Sequence, residues 1–256
     1  MRIPLHVFTL ALDAMPWMAY TFAELSRLHE IPWSWTIVHG AAMNTRDTRW
    51  MQPQKPRLST DGTTEFLHSL SFHPRVRIIE QPSWDGKVTM CNAALATFTE
   101  RGVLLQVDAD ELWQVDQLRR IVEMFEDDLE LKLARFRCRY FLGANCVTAD
   151  DGKVSEWQRA WRFTPGMKFD SHEPPVLEGN HGKNATRDET AANGLVFQHF
   201  AYALSKHVDM KEKLYGPKFA GLRAGWERLQ ANKDWPANAS QFLPVAFKGC
   251  PIDKIF

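Results

Sequence analysis

Short apolar runs rich in β-branched and aromatic residues alternate with amphipathic stretches through the first half of this chain, and that alternation restricts it to an α/β fold whose parallel sheet is built from βαβ units. The pattern predicts strands over 5–10, 34–39, 76–80 and 103–107, interleaved with helices over 17–29, 63–71 and 88–101. Ser59-Thr60-Asp61 supplies a cap before the second helix, and the preceding stretch 43–58, with Pro53, Pro56 and several basic residues, reads as a long loop. Further on, 115–127 reads as a helix. The strict alternation of Ala134-Arg-Phe-Arg-Cys-Arg-Tyr140 reads as a strand with one buried face, and 159–163 as another strand. The polar, Gly- and Asn-rich stretch 179–194 is expected to be a flexible loop beside a site, 195–201 a last strand, and 207–228 helical with a break at Gly216-Pro217.

A chain of 256 residues suits a single domain that buries a full core without disulfides or metals. Lys+Arg and Asp+Glu are equal in number at 31 each, so no global basic field exists for gripping nucleic acid. Cys91, Cys138, Cys146 and Cys250 show neither CxxC spacing nor the density of a secreted disulfide scaffold; they read as packing residues of a protein in a reducing, cytoplasmic setting. The apolar run 3–12 is too short to span a bilayer, contains His6 and is followed by Asp13, so it is expected to be the first strand and not a signal peptide or transmembrane segment. The aromatic and basic C-terminal region is compatible with peripheral membrane contact. Ten tryptophans are the compositional oddity. Several adjoin polar loop residues, as they would if they stacked on sugar or base rings, although core packing is the commoner use of Trp.

The strand over 103–107 ends in Asp108-Ala109-Asp110-Glu111. That places carboxylates at the carboxyl edge of a parallel sheet, where open α/β folds bind ligands. Oxygen ligation of this kind suits Mg²⁺ or Mn²⁺ held together with substrate phosphates. Residues two apart on an extended segment point the same way, so Asp108 and Asp110 are expected to converge on one ligand. The plainer explanation is that these acids cap the next helix; three acids closing an apolar strand is a poor arrangement for packing alone.

Asp-x-Asp in this setting resembles the metal and nucleotide-sugar motif of GT-A glycosyltransferases of the family 2-like branch. Asp61-Gly62-Thr63 ahead of a helix, and Asp85-Gly86-Lys87 with Asn92, resemble that family's segments before the metal motif, in the same order, over roughly 5–113. The resemblance implies a GT-A, Rossmann-like, mostly parallel sheet flanked by helices. Residues 1–256 would form one domain, with a nucleotide-sugar-binding half over 1–113, an acceptor-side half over 114–256 and a C-terminal helical region. It implies nucleotide contacts from Thr9, Asp13, Asp61, Lys87, Asn92 and Asp108. The family's Thr-acid pair after strand one and its acidic residue after strand two are not reproduced: Thr9 is followed by Leu10-Ala11-Leu12-Asp13, and His39-Gly40-Ala41-Ala42 closes the second strand.

Past the motif, Arg159-Ala160-Trp161-Arg162-Phe163 and then Phe169-Asp170-Ser171-His172-Glu173 resemble the acceptor side of related transferases. Glu173, or in second place Asp170, is the expected general base for an acceptor hydroxyl; an exposed acid in the turn before Pro174-Pro175 is the competing explanation. His199 resembles the late His that completes a metal shell with Asp108 and Asp110, the competing explanation being a satisfied core histidine. Lys206, His207, Lys211 and Lys213 follow, and Lys206 on a helix can reach over a diphosphate. The implied activity is metal-dependent transfer of a sugar from a nucleoside-diphosphate sugar, a UDP-sugar first, to an acceptor hydroxyl on a glycan, lipid-linked sugar, protein or modified nucleic acid. A nucleotidyltransferase uses a similar sheet but carries a Gly-rich loop after strand one, and 10–17 contains no glycine. A catalytically inactive carbohydrate-binding protein on the same fold is the third reading, against which the intact Asp108-x-Asp110 argues.

Overall fold

The computed structural model describes residues 2–43, 49, 51–52, 54–143, 146–148, 157–231, 237–238 and 248–251. In chain order its elements are β1 (Leu5–Ala11), α1 (Trp17–Ser26), β2 (Trp33–Ala42), α2 (Thr63–Ser69), β3 (Val76–Trp84), α3 (Gly86–Leu95), β4 (Gly102–Gln106), β5 (Glu111–Leu112) and α4 (Val115–Asp127). There follow β6 (Leu131–Tyr140), β7 (Cys146–Thr148), β8 (Trp157–Phe163), β9 (Phe169–His172), β10 (Pro175–Leu177), β11 (Lys183–Ala185), α5 (Arg187–Ala192), β12 (Val196–His199), α6 (Ser205–Tyr215), α7 (Leu222–Gln230), β13 (Ala237–Asn238) and β14 (Lys248–Pro251).

The main sheet runs β3-β2-β1-β4-β8-β6-β12-β5, with β11 also paired to β6. β1 to β4 are mutually parallel, β8 runs against both β4 and β6, and β5 runs against β12. β1 therefore lies between β2 and β4, the point at which the strand order reverses and the carboxyl ends of the strands open a crevice. Alternation along the central strands divides the interior. Leu5, Val7, Val103 and Leu105 pack on one face with α1, α2 and α4, while Phe8, Leu104, Val38 and Trp161 pack on the other with α3 and Phe169. β4 is buried along its whole length, so it tolerates polar groups only where it ends.

The α4 helix spans the predicted residues. A Gln114–Gln117 capping box starts it, and it buries Val115, Leu118, Ile121, Val122 and Phe125, a helical stripe. Several predicted boundaries move: among them, β3 continues to Trp84, and α3 begins at Gly86 and stops at Leu95. Continuing β3 requires a bulge on β2 at Gly40, which has φ 127°; a Cβ there would stand 1.7 Å from the Gln81 carbonyl oxygen. The stretch 179–194 is not one flexible loop. It contains β11 and α5, and Thr186 caps α5 through a reciprocal capping box with Glu189. Cys91 and Cys138 are buried thiols; the side chains of Cys146 and Cys250 lie outside what is described, as do residues 44–48, 50 and 53 of the predicted loop 43–58. Among the described residues, no helix is long and apolar enough to cross a membrane.

Candidate functional site

The carboxyl ends of β1, β2 and β4, the β9–β10 turn and one face of α6 enclose a cavity of about 1350 Å³ lined by Asp13, Gly40, Asp108, Asp110, Glu173, His199 and Lys211 among others. The floor is the end of β4. Beyond Gln106 the chain turns, with the Glu111 amide donating to the Asp108 carbonyl at 2.9 Å, so 108–111 is not an extended segment. This corrects the expectation that Asp108 and Asp110 lie on an extended segment. Both line the cavity, but the turn gives them different partners.

Asp108 faces Arg159. The guanidinium donates to Asp108 Oδ2 at 2.6 Å and to Glu111 Oε1 at 2.7 Å, with Arg159 Nε also reaching both Glu111 oxygens. Gln106 donates to Asp108 Oδ1 at 2.8 Å, so both oxygens of this carboxylate are engaged. Arg159 lies at a bulge of β8, between Gln158 and Ala160, and is 1 % exposed, and its guanidinium lies 4.9 Å from the Trp157 ring. Burial pushes Asp108 up, and Arg159, His172 and the Gln106 hydrogen bond together reverse this and hold the carboxyl below its usual range. Glu111 is fully buried, and that burial pushes it up.

Asp110 faces the other way. Its Oδ1 lies 3.2 Å from His199 Nε2, and its Oδ2 accepts from Lys211 Nζ at 3.3 Å. Burial pushes Asp110 up, but Lys211 and His199 reverse this and hold it well below the carboxylate range. Burial pulls the His199 imidazole down, and Asp110 raises it to about 10. The His199 ring stacks on Tyr140 at 4.7 Å, which fixes its plane. Asp110 Oδ1 and His199 Nε2 thus form a direct ion pair, and both residues line the cavity. Asp108 lines the same cavity and is engaged by Arg159 and Gln106. Among the described residues no group of three His, Cys, Asp or Glu is arranged to hold a metal.

Glu173 lines the cavity from the β9–β10 turn, where Lys87 at the start of α3 donates to its Oε1 at 3.2 Å and His172 Nδ1 lies 3.8 Å away. Asp170 does not join it. It is exposed on β9, at the irregularity where Phe169 and Ser171 pair with Leu177 and Val176. Asn92 is also away from the cavity: its amide donates to the Phe169 carbonyl and accepts from the Phe169 amide, at 3.0 and 2.7 Å, tying β9 to α3. Thr9 is 1 % exposed and accepts from the Trp35 indole at 3.0 Å, so it is a core contact and not part of the cavity wall.

The end of β1 is held by side chains. Asp13 has φ 51°, lines the cavity, pairs with Arg57 and accepts from the Thr60 amide at 3.0 Å. Its own amide donates to Ser59 Oγ, which contacts His39 Nε2, whose Nδ1 meets Glu80 at 2.9 Å. Asp61 ties the same loop to α2 by accepting from the Met15 amide at 3.0 Å and from Thr63. Lys206 donates to the Met15 carbonyl at 3.0 Å and lines the cavity. Arg159, Lys211, Arg57 and His39 were not expected as site residues. Arg159 alone had a readable signal, a cation alternating in sequence with three aromatics, which must find carboxylates inside.

The family model for glycosyl transferase family 2 matches residues 58–192, more than half of the chain. No curated protein matches it. Among solved structures, the mannosyltransferase PcManGT from Pyrobaculum calidifontis, in complex with GDP-Man and Mn²⁺, superposes with a TM-score of 0.52 at 15 % identity, covering 92 % of this chain and 67 % of that one. S. aureus TarS 1–349 gives a TM-score of 0.43 at 11 % identity over 72 % of this chain and 60 % of that one; with UDP-GlcNAc it gives 0.38 at 12 % identity, over 53 % and 35 %. The chain thus spans about a third to three fifths of the TarS structures it matches. The likeness to the mannosyltransferase shows a shared GT-A fold. With the match over 58–192, it follows that the chain belongs to glycosyl transferase family 2.

Proposed function

We propose that this protein transfers a sugar from a nucleoside-diphosphate sugar, a UDP-sugar first, to an acceptor hydroxyl, with Asp110 and His199 holding a divalent cation, Mn²⁺ or Mg²⁺. The observation that carries this reading is the pair itself: a carboxylate and an imidazole 3.2 Å apart, at the end of the central strand, inside the large cavity. Their donor set of oxygen and imidazole nitrogen suits Mn²⁺. A cation held there neutralises charge on the departing diphosphate. Asp13, steadied by Arg57 and Ser59, serves the nucleoside end, and Lys206 and Lys211 bring positive charge toward the phosphates. Glu173 takes the proton of the acceptor hydroxyl, its carboxylate oriented by Lys87. Residues on both sides of position 113 line the cavity, and the division into a donor half and an acceptor-side half belongs to this proposal, as does the cytoplasmic setting.

Release of nucleoside diphosphate from a panel of UDP- and GDP-sugars, with Mn²⁺ present, tests the reading. Turnover of a donor supports it; pyrophosphate release from a nucleoside triphosphate would replace it with nucleotidyl transfer, and inertness toward every donor with a retained fold would replace it with a sugar-binding role. Glu173→Gln is expected to lower kcat by about 10²–10⁴-fold with little change in the affinity for UDP, the range for a general base. An unchanged kcat would remove Glu173 from the chemistry.

A further inference from the structure

His39, near the end of β2, is fully buried, while its neighbour Gly40 lines the cavity. Parallel pairing sets His39 directly opposite Glu80 of the edge strand β3, so the two side chains leave the sheet on one face. Its Nδ1 lies 2.9 Å from Glu80 Oε2, and its Nε2 lies 3.2 Å from the Ser59 amide nitrogen and 2.9 Å from Ser59 Oγ. A backbone amide can only donate, so Nε2 carries the lone pair, and the neutral ring carries its proton on Nδ1, where Glu80 accepts it. With Nε2 accepting, the Ser59 hydroxyl gives its proton to the imidazole and keeps its oxygen for the Asp13 amide, which donates to it at 2.8 Å. Glu80, His39, Ser59 and the Asp13 amide thus form one series, from the edge of the sheet to the cavity wall.

The strap that His39 grips, residues 57–60, carries groups that hold Asp13. Arg57 pairs with its Oδ2, the Thr60 amide donates to its Oδ1 at 3.0 Å, and Ser59 takes its amide. Asp13 has φ 51°, disfavoured for a residue with a Cβ, so contacts from outside must keep it there. The strap is tied to the sheet at Arg57, whose amide donates to the Pro82 carbonyl and whose carbonyl accepts from the Ala41 amide. Ser59 is gripped by His39 at its amide and hydroxyl, and its carbonyl accepts from Thr64 at 3.1 Å. That grip depends on the tautomer. With a proton on Nε2, the ring and the Ser59 amide would face each other as two donors; the Glu80 carboxylate, whose Oε2 also lies 3.3 Å from His68 Nε2, selects the opposite arrangement. We infer that His39 is a positioning residue for nucleotide binding, its tautomer set by Glu80, acting through Ser59 on Asp13; that Asp13 meets the nucleoside end of a sugar donor rests on the transferase reading above.

The probes are UDP and GDP, titrated calorimetrically into the full chain with Mn²⁺ present. For the nucleotide that the wild type binds, Glu80→Leu is expected to weaken affinity about threefold and His39→Leu about tenfold, the scale of a lost hydrogen bond. Glu80→Gln, whose amide oxygen still accepts from Nδ1, is expected to restore the wild-type affinity. For a donor that is turned over, KM follows the affinity and kcat stays constant. Wild-type affinity in either leucine variant, even beside a lowered denaturant midpoint, makes the series purely structural and overturns the assignment. So does a loss shared by Glu80→Gln, or a wild type that binds neither nucleotide. Should His39→Leu fail to fold, Glu80→Leu on the edge strand and imidazole ¹⁵N chemical shifts decide the matter. The wild type is expected to show His39 as the Nδ1–H tautomer, and Glu80→Leu to mix the two; a wild-type ring protonated on Nε2 overturns it. The two readings fail separately: donor turnover with nucleotide affinity indifferent to His39 and Glu80 removes this series alone, whereas nucleotide binding that depends on both, without turnover of any donor, removes the transferase reading alone.

Discussion

Asp108 and Asp110 leave the end of β4 two residues apart, yet one faces a guanidinium shared with Glu111 and the other faces an imidazole and an ammonium. On the Asp108 side a planar fork, always charged, bridges two acids through several hydrogen bonds, with Arg159 and Glu111 both buried. On the Asp110 side each oxygen has a single contact, and both partners belong to the cavity wall. A multiply bonded, buried cluster is a poor place to exchange partners, because breaking one bond strands a charge in low dielectric. Single contacts beside a cavity can be exchanged for a ligand. Both carboxylates line the cavity, and the difference between them is one of partners: a network around Asp108, single contacts around Asp110.

The sharpest way to break that division is Asp110→Asn. It is expected to lower kcat/KM by about 10³–10⁴-fold, roughly 4–5 kcal/mol, the scale of charge stabilisation at a leaving group. It should also abolish the calorimetric signal for Mn²⁺, while the denaturant midpoint shifts little. Arg159→Met tests the other half. Removing the guanidinium leaves Asp108 and Glu111 facing each other without a counter-charge, which is expected to destabilise the fold by about 3–4 kcal/mol in urea unfolding. Adding Asp108→Asn and Glu111→Gln to Arg159→Met should restore part of that loss, since no charge is then stranded. If Asp110→Asn lost as much stability as Arg159→Met, the two sides would be equivalent and the comparison would fall.

The parts of this arrangement that follow periodic rules were readable from residues alone. The strands β1, β2 and β4 and the helix α4 follow from alternation and a helical stripe, and the placing of Asp110 at the sheet edge from the strand before it; His199 came from the family resemblance. What escaped was non-periodic or non-local. β5 is two residues long and exists only because β12 lies beside it. The helix α5 was hidden in a polar stretch whose Thr186-x-x-Glu189 capping box outweighed its composition. Thr9 and Asn92 sit near the expected motif positions, but Trp35 and the Phe169 backbone claim them, and no local pattern reveals a partner 26 or 77 residues away. The partition of Asp108 from Asp110 depends on a turn at 109–110 and on Arg159, 51 residues downstream.

The smallest effect sharpens the comparison at the neighbouring strand end, where Asp13 combines features of both sides: it is paired to an arginine, like Asp108, and reaches the cavity, like Asp110. Its φ of 51° is disfavoured for a residue with a Cβ and is held by the Ser59 hydroxyl, which accepts from the Asp13 amide at 2.8 Å and meets His39 Nε2 at 2.9 Å. Ser59→Ala removes that acceptor and leaves the Asp13 amide unmatched, for a stability loss of about 1 kcal/mol. Because Asp13 then relaxes out of its place in the cavity wall, KM for the donor is expected to rise about three- to tenfold with kcat unchanged. Ser59→Thr, which keeps the hydroxyl, is expected to restore KM. A fall in kcat at constant KM would place Asp13 with Asp110 in the proposed chemistry, and no kinetic change beside the same stability loss would make it part of the framework.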